Sequence, residues 1–153
     1  TFRSVEFEGN GALDIFVPIA ARHVAKLALK GGLRTSKTMF ENELFRMGGL
    51  STLRGFDEES ILASTYTIYT LEYRYLLEQN SYLFLFFDGS YYENEVKRLR
   101  GAPWTDQPFG YGAGISFETR AGIFTLSYAL GQQKGNPPDI KAAKVHFGIV
   151  NRF

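Results

Sequence analysis

Strict alternation between apolar residues and small or polar ones is the feature that most limits what this chain can become. In Phe109 to Thr119, Phe109, Tyr111, Ala113, Ile115 and Phe117 fall on one parity, and Gly110, Gly112, Gly114, Ser116 and Glu118 on the other. Successive strand residues face opposite sides of a sheet, so this segment presents one apolar face and one small or polar face. A helix would scatter the same residues around its circumference, and the glycines would weaken it further. The pattern recurs. Val145, Phe147, Ile149 and Phe153 oppose Lys144, His146, Gly148, Val150 and Arg152; Phe124, Leu126, Tyr128 and Leu130 oppose Thr125, Ser127 and Ala129. Tyr69, Leu71, Tyr73, Tyr75 and Leu77 oppose Thr70, Glu72 and Arg74, and Leu83, Leu85, Phe87 and Tyr91 oppose Phe84, Phe86, Asp88 and Ser90. His23, Ala25, Leu27 and Leu29 oppose Val24, Lys26, Ala28 and Lys30. With Leu13 to Ile19 and a weaker Phe2 to Glu8, the reading is about eight strands, with no convincing helix, internal repeat or interdomain linker.

Composition narrows the class. The 153 residues allow one domain. Without cysteine there is no disulfide scaffold, zinc ribbon or thiol nucleophile. Seventeen basic against 16 acidic residues argue against a nucleic-acid partner. No apolar run approaches the roughly 18–20 residues of a membrane helix. A transmembrane barrel needs only about 9–11 residues per strand with alternate side chains apolar, which suits a mean hydropathy of −0.16. The chain starts at Thr1 without an export signal, so a processed or truncated product is expected.

The connections sort by length. Counting back from a last strand ending at Phe153 puts the joints near 120–122, 78–81 and 20–22 on one rim, and residues 132–140, 94–108, 31–60 and 9–11 on the other. Short turns on one rim and long loops on the other are how outer-membrane barrels are built. A soluble β-sandwich or lipocalin-like barrel also alternates. Glycine, serine, threonine and opposite charges on the polar face favour a water-containing lumen instead.

The 31–60 loop contains Met47-Gly48-Gly49-Leu50-Ser51-Thr52-Leu53-Arg54-Gly55-Phe56. It resembles the long loop of the BamA-type outer-membrane assembly family, the bacterial surface antigen family, whose hallmark is a (V/L)RG(F/Y) tetrapeptide after a Gly-Gly. A strand with Glu72-Tyr73-Arg74 follows, matching the family's ExR. Next come Phe86-Phe87-Asp88-Gly89, matching its FxDxG region with Ser90 and Tyr91 in place of the last spacing, and then Gly110-Tyr111-Gly112-Ala113-Gly114 and a terminal Phe. The resemblance covers roughly residues 12–153. It implies that the loop folds into the lumen and that Arg54 pairs with Glu72 and Asp88, which period 2 independently puts on the lumen side of adjacent strands. A planar guanidinium can bridge two carboxylates, which lysine cannot match. Gly48, Gly49 and Gly55 would supply the tight backbone, Leu53 and Phe56 the apolar anchors, and Arg74, Gly110, Gly112 and Gly114 the surrounding wall. The competing arrangement pairs Glu72 with Arg74 and leaves Arg54 solvated.

Outer-membrane barrels share a C-terminal assembly signal. His146, Gly148 and Phe153 fit it, while Asn151 occupies an apolar position of that pattern. His23 and His146 lack a local metal-ligand partner, and no nucleophile elbow, zinc helix or phosphate loop occurs, so neither a metal site nor an enzyme active site is expected. Asp57-Glu58-Glu59 and Lys97-Arg98-Leu99-Arg100 read as solvated extracellular loops, with cation or lipopolysaccharide contact the sharper alternative.

The expectation is an all-β, antiparallel transmembrane β-barrel. About eight strands are filled by their own side chains, so a lumenal loop of roughly 25 residues requires more strands, and the chain is read as the C-terminal half of a 16-stranded barrel. The resemblance implies assembly, insertion or translocation of outer-membrane proteins in the bacterial outer membrane, with no cofactor. The implied partners are the lipid bilayer and lipopolysaccharide, client outer-membrane proteins, and accessory lipoproteins reached through N-terminal domains; no nucleic acid is among them. A two-partner-secretion transporter, the barrel of a patatin-like phospholipase and a small stand-alone binding barrel are the alternatives.

Overall fold

The computed structural model describes residues 7–35, 40–50, 52–57, 59–132 and 143–151. The expected ending at Phe153 and most of the weak strand at Phe2 to Glu8 lie outside them.

Alternation produces long antiparallel strands. In chain order these are β1 (Phe7–Ala20), β2 (His23–Thr35), β3 (Phe45–Met47), β4 (Ile61–Ala63), β5 (Thr65–Glu78), β6 (Ser81–Glu93), β7 (Thr105–Asp106), β8 (Phe109–Thr119), β9 (Gly122–Gln132) and β10 (Lys144–Asn151). One eight-stranded sheet runs β1-β2-β5-β6-β8-β9-β10, with β7 pairing β6. Every long strand pairs with its sequence neighbour, the up-and-down order that a meandering barrel wall requires. Among the described residues no helix is long and apolar enough to cross a membrane.

Parity fixes what each face carries. On β10, Val145, Phe147 and Ile149 are each more than half exposed, whereas His146 is 8% exposed. Leu71, Leu85 and Tyr128 are likewise exposed, while Glu72, Phe84, Phe86, Asp88, Ser116 and Ser127 are buried on the opposite face. The apolar face is therefore outside and the polar face inside, the inverse of a soluble sandwich. Slipping a strand by one residue would exchange the two faces, so the register is strongly specified.

Two-residue turns close one rim, after β1, β5 and β8, and the loops after β2, β6 and β9 extend from the other. The expected break at residues 9–11 is absent. Gly9, Asn10 and Gly11 continue β1 and pair with Leu33, Gly32 and Gly31, because ladder hydrogen bonds are made by backbone and need no side chains. β2 likewise runs five residues past Lys30, so the long loop begins after Thr35 rather than at 31. A short helix, α1 (Glu95–Leu99), also forms where the sequence offered no helical period; the Asn94 side chain accepts from the Lys97 amide at 3.1 Å and caps it.

The long loop supplies its own framework. Phe45 and Met47 of β3 pair with Ala63 and Ile61 of β4, making a short ribbon that carries residues 48–60 between its arms. Its base is tied to the wall: Arg34 of β2 donates to the Glu43 carbonyl and pairs with Glu8 of β1. The main hydrophobic core lies between loop and wall, where Met47, Leu53, Ile61 and Ala63 pack on Tyr66, Ile68 and Tyr92. A second cluster, Phe84, Phe86 and Ala129 with Tyr82 against them, lies on the inner face of the wall itself.

Candidate functional site: a clamped loop against the inner wall

The loop tip turns inward through left-handed backbone. Gly48, Gly49 and Gly55 have φ of +117°, +101° and +101°, and a Cβ on Gly48 would collide with the Asp57 carbonyl. Leu53 is fully buried and Phe56 packs against the same core, so the two apolar residues flanking Arg54-Gly55 anchor the tip.

Arg54 is consequently held over the inner face of β5 and β6. Its Nε and Nη2 donate to Asp88 Oδ2 and Oδ1, both at 2.7 Å, in a bidentate fork, and its backbone amide donates to Oδ2 at 3.2 Å. Nη1 donates to Glu72 Oε1 at 2.6 Å. Thr70 completes the Asp88 carboxylate through its hydroxyl at 2.9 Å, and Arg74 Nε donates to the other Glu72 oxygen at 2.6 Å. Glu72 thus serves both arginines, and the competing arrangement with a solvated Arg54 does not occur. The guanidinium also lies on the Phe86 ring, 3.7 Å from its centroid, which supplies a π face where solvent is excluded.

Burial works against the charge on Arg54. The hydrogen bonds and field of Asp88 and Glu72 outweigh it and hold the guanidinium above its ordinary, already high value. A buried charge set of this kind is tolerated because each guanidinium nitrogen of Arg54 and each carboxylate oxygen of Asp88 and Glu72 has a hydrogen-bond partner.

Glycines of the far wall make room for the tip. A Cβ on Gly110 of β8 would overlap the Arg54 carbonyl, and Gly114 faces Phe84. At Gly112 an added Cβ would first meet the Tyr128 backbone of β9, so this glycine serves strand packing. Three contacts were not foreseen. Gly131 of β9 lies against the Gly55 carbonyl, Gly148 of β10 lies against Leu50, and His146 Nε2 accepts from the Gly55 amide at 3.0 Å. Parity had put His146 and Gly148 inside; their contact with the loop is tertiary and has no local signal. Phe153, the remaining terminal-signal residue, lies outside the described residues.

His23 sits at the short-turn rim on the outer face, bonded to the Tyr73 hydroxyl and edge-on to Tyr75. Of the basic loop cluster, Arg98 pairs with Glu95 and lies over Trp104. Among the described residues no group of three metal-ligating side chains comes together.

Up-and-down strands with one apolar face, one polar face and a loop folded onto the polar face define a transmembrane β-barrel wall. The chain belongs to the Omp85 superfamily, whose domain model matches residues 2–153. Members of this superfamily are outer-membrane proteins of Gram-negative bacteria or organelles, acting in outer-membrane protein insertion or secretion-type transport. A search of curated proteins returned no match.

Proposed function

We propose that the chain is the C-terminal half of a BamA-type, 16-stranded barrel that inserts client outer-membrane proteins in the bacterial outer membrane. The observation that carries this reading is the Arg54–Glu72–Asp88 clamp, which fixes the Leu53-Arg54-Gly55-Phe56 tip to the inner wall. A lumen occupied by its own loop is poorly suited to free diffusion of solutes. The productive surface is then a strand edge. β10 has one ladder partner, β9, among the described residues. Unpaired amides and carbonyls along such an edge template an incoming strand by β-augmentation.

In this reading the protein performs no covalent chemistry and uses no cofactor. Its partners are the bilayer with its lipopolysaccharide, client barrels and, through N-terminal domains, accessory lipoproteins.

The test replaces Arg54 by Ala and, separately, Asp88 by Arg in the full-length protein. Client insertion, heat-modifiable gel mobility and protease access to residues 48–57 are then measured. Loss of client insertion together with loop exposure supports the reading. Parental insertion with a protected loop overturns the clamp's role, and esterase activity in the full-length protein would point to a phospholipase barrel instead.

A further inference from the structure

The clamp has a counterpart on the opposite face of the same two strands. Thr70 and Asp88, bonded to each other on the inner face, form one cross-strand pair of β5 and β6. The next pair along the ladder is Tyr69 with Gly89, and it faces outward. Among the outward positions of β6 from Leu83 to Glu93, Gly89 is the buried one. Tyr69 covers it: the three atoms nearest an added Cβ on Gly89 are Cζ, Oη and Cε2 of that ring, all closer than a Cβ would tolerate. The ring therefore lies across the β6 backbone. Phe87 continues the cover, 6.2 Å from Tyr69 between centroids, and itself stacks on Phe109.

A glycine inside a strand has no side chain to pack and weakens the strand locally. Gly89 is also the last β6 residue paired with β8, so the ladder on that side ends one residue past Asp88. The weak point thus adjoins the residue that most needs accurate placing, because Asp88 takes three hydrogen bonds from Arg54 and one from Thr70. An aromatic ring laid over a strand glycine from the neighbouring strand restores the packing that the glycine lacks. We propose that Tyr69 is a positioning residue of the clamp: from outside the wall its ring holds β6 at Gly89 against β5, and so sets Asp88 within reach of Arg54.

Tyr69 and Arg54 lie on opposite faces of the wall, so the effect passes through the β5–β6 backbone rather than by contact. Ring and glycine form one unit. The ring needs the gap that a missing Cβ leaves, and any larger residue at position 89 evicts it. The other role open to an outward tyrosine is to sit at the membrane interface. Tyr91, two positions from Gly89 on the same face of β6, supplies the contrast: it pairs with Thr67 rather than a glycine, and its hydroxyl donates to Glu93. The inference rests on the clamp, on which the proposed function also rests, but not on any client.

Limited proteolysis of residues 48–57 in the full-length protein in lipid tests it. Tyr69→Ala should speed cleavage about fivefold, the upper end for a cross-strand pair. Tyr69→Phe, which keeps the ring, and Tyr91→Ala, which uncovers no glycine, should both cleave at the native rate. Gly89→Ala should match Tyr69→Ala, yet add nothing in the Tyr69→Ala background, where there is no ring to evict. In an Arg54→Lys background, which lacks the fork, Tyr69→Ala should add less than its fivefold. Native cleavage in Tyr69→Ala overturns the proposal, and equal exposure in Tyr91→Ala assigns Tyr69 to the interface and overturns it too. Full additivity with Arg54→Lys would mean that Tyr69 supports the sheet without acting on the clamp, which also overturns it. Heat-modifiable mobility establishes that each variant folds. If Tyr69→Ala does not, Gly89→Ala is compared with Gly11→Ala, whose methyl enters open space: exposure in the first alone supports the proposal, and native cleavage in the first overturns it. Lost client insertion in a protein that keeps these cleavage responses would count against the proposed function alone.

Discussion

Arg54 and Asp88 meet through three hydrogen bonds to one fully buried carboxylate, two from the guanidinium and one from the arginine's own backbone amide. Side chain and main chain of a single loop residue are fixed together, so the clamp sets the path of the loop as well as its distance from the wall.

Removing both partners should cost less than the two single removals summed. Arg54→Ala leaves the buried Asp88 without its cation while Glu72 keeps Arg74, a loss of about 3–5 kcal/mol. Asp88→Asn should be severe, and Glu72→Gln milder, because Asp88 still holds Arg54. The Arg54→Ala/Asp88→Ala pair should fall short of the summed single losses by about 0.5–3 kcal/mol. Urea unfolding in lipid vesicles measures the cycle; strict additivity would contradict the contact.

Arg54→Lys should weaken the loop at neutral pH and fail further in alkali. The raised value of Arg54 means its contribution is present at every pH below the ordinary arginine value and is lost only above it. A lysine titrates near 10.4 and has no fork. Protease protection of the loop should therefore persist to about pH 11 in the native protein and decline from about pH 10 in the variant.

Gly110 and Gly11 should respond in opposite directions to alanine. The added methyl at Gly110 meets the Arg54 carbonyl, whereas at Gly11 it meets nothing within 4 Å. Gly110→Ala should expose the loop to protease and lower stability by about 1–3 kcal/mol. Gly11→Ala should be neutral or stabilise β1 by up to about 1 kcal/mol, read from the same urea curves.

Leu85 distinguishes lipid from water as the outer solvent. It is 60% exposed at mid-strand, beside Tyr73 and Ala113. Leu85→Arg should cost about 2–4 kcal/mol in a bilayer. At a water-facing position the change would stay within about 0.5 kcal/mol, and that result from vesicle unfolding would reject the membrane assignment.

The wall was legible because side-chain period in a strand is a local property. Alternation placed Glu72 and Asp88 inside and Leu85 and Tyr128 outside without knowledge of any partner. Arg54 had no such handle; its role came from the resemblance of its tetrapeptide. At residues 9–11 glycine and asparagine disfavour a strand locally, while pairing against Gly31 and Gly32 decides the outcome. The β3–β4 ribbon escaped notice since its three-residue strands are separated by the loop they support. For His146 alternation gives the inner face and the terminal pattern gives a signal role, but nothing near it in sequence announces the Gly55 amide.

The contacts of the loop tip differ greatly in chain separation. Arg54 reaches Glu72 across 18 residues and Asp88 across 34, whereas Gly55 reaches His146 across 91. Short-range closures cost less entropy and form sooner. Folding order follows: the arginine grip becomes available once two strands have paired, and the histidine link must wait until β10 has been delivered. The tip thereby registers the arrival of β10, and a molecule stalled before that strand would carry a docked loop whose Gly55 amide has not yet met His146.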